Sequence, residues 1–418
     1  MKYFFILGSN PALSFAEIKS VLALKPENII FITDKVLAIN YENKLIAHDL
    51  MRDLGGTIKM GVLKDECYEI DNDLVEHLWS FIDIKNVFGK FNFGFSYYGE
   101  GSLDIKSWAI NIKRQLKESG INSRWVVGRV KQLSSVIVEQ NKLIGAQGLE
   151  IVIVKREHSY YLGKTMAVQP FKELSARDYG RPGRDDYSGM LPPKLAKIMI
   201  NLAGGKSGFA SDKTMCLLDP FCGSGTILTE ALLMGYKYII GTDKSATAVA
   251  DTKKNLIWIK NKYPAFKLTS HIWQCDARVL AGKIKPNSVD IIATEPYLGP
   301  PRMRRKSQDI KKVTAELEQL YHEAILQFDK ILKNNGRVTM VWPVFITDKN
   351  EQVFLNTKNI LKNSSFQKID YLLGFKYKTL ILTDRRTLLY KREGQKIARE
   401  IVALTKINKG ERVNVTKK

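Results

Sequence analysis

Between Lys194 and Phe345 the apolar positions alternate between two rhythms. Helical spacing marks "KLAKIMINLA", "TILTEALLMG", "ATAVADTKKNLIWIK" and "TAELEQLYHEAILQFDKIL", where apolar side chains recur every third or fourth residue. Between them lie short, nearly unbroken apolar runs: "TMCLLD", "YIIGTD", "IWQCDA", "VDIIAT" and "RVTMVWPVF". Strands covered on both faces read this way, and their alternation with helices implies right-handed crossovers in a parallel sheet. The predicted fold class is α/β. Ligands of such sheets bind beyond the carboxyl ends of the strands, so chemistry is sought there.

The opening third is less regular. "KYFFILG" predicts a strand rather than a signal peptide, because no small-residue cleavage site follows it. "SFAEIKSVLAL" predicts a helix opened by Ser14 and Glu17 at capping-box spacing. "RWVVGRV" and "LEIVIVKREHSYYLGKTMAV" carry the β-branched and aromatic content of strands, the second bending near Glu157–Ser159. Residues 169–190, "QPFKELSARDYGRPGRDDYSGM", break both rhythms with prolines, glycines and alternating Arg and Asp. By composition they are a linker. Their basic and tyrosine side chains exceed what a tether needs, so a linker that also touches substrate is the alternative.

Length and composition add bounds. A chain of 418 residues is too long for one ordinary core, and two or three domains are expected. Hydrophobic residues at 44% and charged residues at 26% fit a globular chain. No apolar run reaches bilayer length, so no membrane partner is expected. Four cysteines and five histidines are scattered without C-x-x-C spacing, which predicts no metal and a reducing, cytoplasmic setting. Charge changes the picture more. With 65 Lys plus Arg against 43 Asp plus Glu, the net charge of +22 creates a field that attracts polyanions, nucleic acid above all.

The strand ends supply the chemistry. The first runs into "DPFCGSGT": Asp219 at the tip, then Pro220 and Phe221, Gly223 and Gly225 for a close-passing turn, and Thr226 opening the helix. The spacing is not G-x-G-x-x-G and no P-loop lysine follows, which excludes a dinucleotide or triphosphate as the natural ligand. The second strand ends at Asp243, where an acid can accept from both hydroxyls of a ribose. The third ends in "CDA", with Asp276 placed to accept from an adenine amino group and Ala277 beside it. Together these acids describe a pocket for an adenosine whose tail is positively charged. The fourth strand, "VDIIAT", meets Glu295, Pro296 and Tyr297: a carboxylate, a rigid kink and a ring.

"DPFCGSGT", Asp243, Asp276 and the strand ending "TEPY" resemble the amino-methylating branch of the class I S-adenosylmethionine-dependent methyltransferases. "RDYGRPGRD", "GMLPPKLAKIMINLA" and "LLYKREGQKIAREI" further resemble the THUMP-containing tRNA guanosine N2-methyltransferases. The resemblance implies S-adenosyl-L-methionine as cofactor and a Rossmann-like domain with a seven-stranded, mostly parallel sheet over 191–395. It also implies an N-terminal α/β subdomain over 1–60, a THUMP-like RNA-binding domain over 61–168, the linker at 169–190 and a basic tail over 396–418. The exocyclic amine of a base is a weak nucleophile, so Glu295 and the Pro296 carbonyl are expected to accept its N–H bonds while Tyr297 stacks the base. The family motif is normally Asp-Pro-Pro-Tyr. Here the acid is one methylene longer, Tyr297 replaces the second proline, and Leu298 takes the aromatic place.

For RNA, Arg124 and Arg129 near Trp125 combine charge with an aromatic ring, although Trp125 also reads as a core anchor. Arg181 in the linker is a third candidate. Arg302 and Arg304 in "RMRRKSQDIKK" follow the Glu295 turn and are expected on the pocket rim. The last ten residues are expected to fray. The reading is a methyltransferase acting on guanosine N2 of tRNA. A DNA or rRNA base amino-methyltransferase and an inactive RNA-binding protein of the same fold remain alternatives.

Overall fold

The computed structural model describes residues 1–418 except 69–73, 84, 86, 88, 185–189, 205–213, 265–268, 301–306, 393 and 409–418. The chain divides into two compact units. One comprises Met1–Phe15, Leu24–Glu173 and Tyr377–Leu380; the other comprises Ala16–Ala23, Leu174–Lys376 and Ile381–Lys418. Among the described residues no helix is long and apolar enough to cross a membrane.

The first unit is built on β1 (Lys2–Leu7), β2 (Ile29–Ile32), β3 (Val36–Asn40), β4 (Thr57–Tyr68), β5 (Phe91–Tyr98), β6 (Ser123–Val126), β7 (Gly148–Arg156) and β8 (Ser159–Val168). They form one sheet in the order β2-β3-β1-β4-β8-β7-β5-β6. The expected boundary at residue 60 falls inside β4, which pairs with β1 on one edge and β8 on the other and so fuses the two expected subdomains. The hairpin between β7 and β8 turns at Glu157 (φ 54°), where the bend was expected. Helix α1 (Pro11–Leu22) begins three residues before Ser14. Ser14 is therefore not a cap: its hydroxyl donates to Gly56 O at 2.6 Å and accepts from Gly8 N at 3.2 Å. Inside the sheet, Lys59 of β4 pairs with Glu150 of β7, which also accepts the hydroxyls of Ser96 and Thr165 at 2.5 Å each. Lys59 donates further to Leu133 O at 2.6 Å, fastening the segment that follows Arg129 to the strands. Every member of this buried network thus has a partner, as a low-dielectric interior requires.

The second unit contains β9 (Cys216–Asp219), β10 (Tyr238–Asp243), β11 (Thr269–Gln274), β12 (Val289–Thr294), β13 (Leu332–Ile346), β14 (Gln352–Phe354), β15 (Phe366–Lys368), β16 (Leu388–Tyr390) and β17 (Ile397–Lys406). The sheet runs β11-β10-β9-β12-β13-β17-β15, with β14 added to β13 and β16 to β17. The strands from β11 to β13 are parallel and β17 is antiparallel to β13. The sheet has nine strands where seven were expected, because β14 and β16 add to β13 and β17. From β9 the chain proceeds outward to β10 and β11, then returns to place β12 on the other side of β9. That reversal makes the β9–β12 edge the switch point of the sheet, the place where ligands of such sheets bind.

Residues 396–418 were expected as a tail, yet 397–406 form β17. Its apolar positions are buried against β13 in a register running from Phe345↔Ile397 to Arg337↔Thr405. Charge counting hid the apolar "IVAL" within the stretch. The "linker" departs as well. Helix α2 (Phe171–Tyr179) spans much of it and buries Leu174 and Arg177. Further helices of this unit include α3 (Pro193–Gly204), α4 (Thr226–Leu233), α5 (Ala246–Lys262) and α6 (Ser307–Ile331). Along α6, Leu317, Tyr321, Ala324, Ile325, Phe328 and Ile331 are buried at helical spacing, packing with Val338, Met340 and Trp342 of β13. In α4 all eight residues are buried, including Glu230. That carboxylate accepts from Arg177 Nε and Nη2 at 2.6 and 3.0 Å, with Lys197 of α3 at 3.9 Å.

Breaking a buried pair leaves an uncompensated charge. Glu230→Ala is therefore expected to cost about 3–5 kcal/mol in urea unfolding of the full chain; a change under about 1 kcal/mol, the scale of a surface pair, would show that the pair does not anchor α2.

Candidate active site

The loop after β9 is shaped by its own glycines and by α5. Gly225 caps α4 with φ 83°, and a Cβ there would lie 2.9 Å from Thr252 Cγ2. Thr252 donates to Gly223 O at 2.7 Å. Asn255, one turn along α5, donates to Ser224 O at 2.7 Å and exchanges two bonds of 2.8 Å with the backbone of Gly183. Gly223 has φ 51°, but a Cβ on it would meet nothing within 4 Å. The loop is thus held from below and open above, which is the shape needed for a ligand to lie against its backbone.

Three acids frame this opening. Asp219, only 2% exposed, accepts from Thr294 Oγ1 at 2.7 Å and from Phe221 N at 3.3 Å, joining β9 to β12 across the switch point. Burial pushes its carboxyl up to about 7; the bonds from Thr294 and Phe221 oppose this, and the charges of Asp243 and Glu295 add to it. Asp243 accepts from Gly223 N at 3.0 Å and from Ser245 N at 2.9 Å, so each oxygen spends one lone pair on the backbone. Asp276 meets Arg278 through side-chain bonds of 3.0 and 2.7 Å and a backbone bond of 2.9 Å. The guanidinium holds that carboxyl below its ordinary range. Pro220 and Ala277 are buried beside these acids, and Phe221 packs on the core beneath.

At the tip of β12, Glu295 is gripped by Arg399 of β17, with Nε–Oε2 at 2.6 Å and Nη2–Oε1 at 3.2 Å. Pro296 is buried and Tyr297 is 52% exposed. The Tyr321 hydroxyl donates to Tyr297 O at 2.7 Å, pinning the turn. Burial, and then the charge of Glu295, hold that hydroxyl well above its ordinary pKa, so it remains a donor.

Arg181 was expected to reach substrate, but it is 6% exposed. Its guanidinium donates to the Thr226 hydroxyl and lies 2.9 Å from Met190 Sδ. It braces the start of α4 instead of presenting charge outward. In the first unit, Arg124 and Arg129 are exposed and Trp125 packs against the core. Arg124 lines a cleft of about 370 Å³ together with Lys90, Asn92 and Lys142. Arg302 and Arg304 lie outside the described residues. Sequence reading missed Thr252, Asn255, Tyr321 and Arg399. The first two were legible only as polar residues three apart on one face of α5, while Arg399 was taken for tail charge.

Residues 181–367 match the UPF0020 family, described as an RMKL-like methyltransferase domain. The tRNA (guanine(10)-N2)-dimethyltransferase of Methanothermobacter thermautotrophicus is 34% identical over 174 residues, 41% of this chain and 43% of the relative. Its namesake in Methanocaldococcus jannaschii is 25% identical over 251 residues, 57% of this chain and 63% of the relative. The matched stretch is therefore less than two thirds of either relative. The crystal structure of TrmN from Thermus thermophilus aligns over 97% of this chain and 100% of that one, with TM-score 0.51 and 16% identity, which shows a shared fold.

A carboxyl raised to about 7 in the fold stays protonated at lower pH than that and must be deprotonated as pH rises. Its stabilising contribution is complete below the unfolded-state value and is lost as pH rises through 7. From pH 5 to pH 8 the ligand-free chain should lose about 2–3 kcal/mol through Asp219, and Asp219→Asn should remove that part of the slope in urea unfolding. Equal slopes for both proteins would contradict the assignment.

Proposed function

With residues 181–367 taken as a methyltransferase domain of the UPF0020 kind, we propose that this chain methylates an exocyclic base amine of RNA. The methyl donor in this reading is S-adenosyl-L-methionine and the substrate is guanosine N2 in tRNA. The observation that carries the reading is the switch-point edge itself. There Asp219, the open Gly223 backbone and Glu295–Pro296 come together at the tips of the adjacent strands β9 and β12. Names of relatives support the substrate class; the net charge of +22 supports a polyanion.

The residues fit the donor. Asp243 keeps a second lone pair on each oxygen for ribose hydroxyls; Asp276 accepts twice on Oδ1 from Arg278 and keeps one lone pair on Oδ2 for an adenine amino group. An acidic rim suits a ligand carrying a sulfonium and an ammonium, and Gly223 lets it approach the backbone. When bound, the donor supplies a methyl group activated by positively charged sulfur. The protein prepares the nucleophile. Glu295 and the Pro296 carbonyl accept the two N–H bonds of the base amine, turning its lone pair out of conjugation with the ring. As nitrogen takes the methyl group it becomes positive, and its excess proton leaves through Glu295 or water. Tyr297, half exposed at the turn, offers a stacking face for a base lifted out of its helix. The exposed Arg124 and Arg129 of the other unit are proposed as phosphate contacts.

Labelled S-adenosylmethionine incubated with separate tRNA and rRNA fractions, followed by nucleoside mass analysis, tests the reading. N2-methylated guanosine in the tRNA fraction is expected. Label confined to rRNA, to another nucleoside or to neither fraction would overturn it. Asp243→Ala should weaken S-adenosylhomocysteine binding by more than about tenfold in calorimetry, the scale of a lost charged hydrogen-bond pair; unchanged affinity would remove Asp243 from the ribose site.

A further inference from the structure

Glu295 is longer than the acid expected in its motif, and the structure provides a partner for that length. Arg399 stands on β17, opposite Pro343 of β13, and reaches back to the tip of β12. Both oxygens of Glu295 are engaged, and the side chains of Arg399 and Glu295 are only 12% and 13% exposed. We propose that Arg399 is a positioning residue for methyl transfer: its guanidinium fixes the plane of the Glu295 carboxylate and offsets its charge, leaving the outer lone pairs for the base amine. The inference rests on the methyltransferase reading and adds a residue to it.

Geometry is the first support. A fork-to-fork pair defines direction as well as distance, and it uses one lone pair on each oxygen, so acceptor capacity remains. Reach is the second. The added methylene gives Glu295 one more rotatable bond than an aspartate, and a loosely held acceptor would not hold a reacting amine in line. The Arg399 fork removes that freedom. Charge is the third. Asp243 and Glu295 already act as negative neighbours on buried Asp219. A carboxylate added to this cluster requires a counter-charge, and among the described residues Arg399 is a cation that touches Glu295. The next residue on β17, Glu400, is served separately by Arg385 and Thr387, so Arg399 is not needed there. Stability alone gives a weak reason for the pair, because the desolvation of two ions offsets most of their attraction.

The test uses the full chain with bulk tRNA and labelled S-adenosylmethionine, and compares Arg399→Met, Arg399→Lys, Glu295→Gln and the double variant Glu295→Gln/Arg399→Met. Arg399→Met should lower kcat about 100-fold, as a misplaced reacting group does, while S-adenosylhomocysteine affinity and KM for RNA stay within about threefold. Arg399→Lys keeps the charge but loses the fork and should recover part of kcat. In the Glu295→Gln background, Arg399→Met should slow transfer no further, because the residue acts through Glu295. Losses that multiply in the double variant, or a fall in cofactor affinity matching the loss of rate, would reduce Arg399 to a structural role. Unchanged kcat in Arg399→Met would overturn the proposal while leaving the methyltransferase reading intact. A wild-type chain that transfers no methyl group to RNA would end both.

Discussion

Carboxylates gathered at neighbouring strand tips repel one another, and the second unit is organised around satisfying them. Asp219 is buried and tied to Thr294 and Phe221, Asp243 is spent partly on two backbone N–H groups, Asp276 is met by Arg278, and Glu295 by Arg399. Each bond also does a geometric task. The Asp219–Thr294 bond sets the spacing of β9 and β12 at the switch point, and the Asp243–Gly223 bond draws the glycine loop over the tip of β10. The same contacts that make the acids tolerable without a ligand therefore shape the proposed site of a cationic ligand.

Layers beneath the loop show the same economy. Thr252 and Asn255 of α5 hold carbonyls that a tight glycine turn would leave without partners. Arg181 braces the Thr226 hydroxyl, and Arg177 anchors α2 to Glu230 of α4. The segment "RDYGRPGRD", which looked like a tether, thus contributes two of its arginines to the support of the loop. The charges of Arg177 and Arg181 serve the interior, whereas Arg184, Arg124 and Arg129 are exposed.

Much of this was legible because periodicity and burial share a cause. Strand β12 occupies the span read for "VDIIAT", and β10 that read for "YIIGTD", since continuous apolar runs are what a doubly covered strand must be. Helix α1 started early because Pro11 suits a first turn, which competes with the capping signal of Ser14. The residue 60 boundary failed because a long strand such as β4 can belong to both halves of a sheet, a fact that local pattern does not carry. β17 was lost beneath its lysines and arginines. With it went Arg399, whose meaning depends on a pairing more than a hundred residues away in sequence. Long-range partners of charged residues are what a single sequence conceals most completely.

The strand-tip acids of the second unit are proposed to enclose one adenosine-bearing cation, with Glu295 facing its reactive end. A crystal structure of the full chain with S-adenosylhomocysteine tests it most directly. Ribose hydroxyls on Asp243, ligand atoms against the Gly223 backbone, and a thioether sulfur turned toward a Glu295 still held by Arg399 are expected. Ligand bound away from Asp243, or a Glu295 carboxylate turned away from the sulfur, would contradict it.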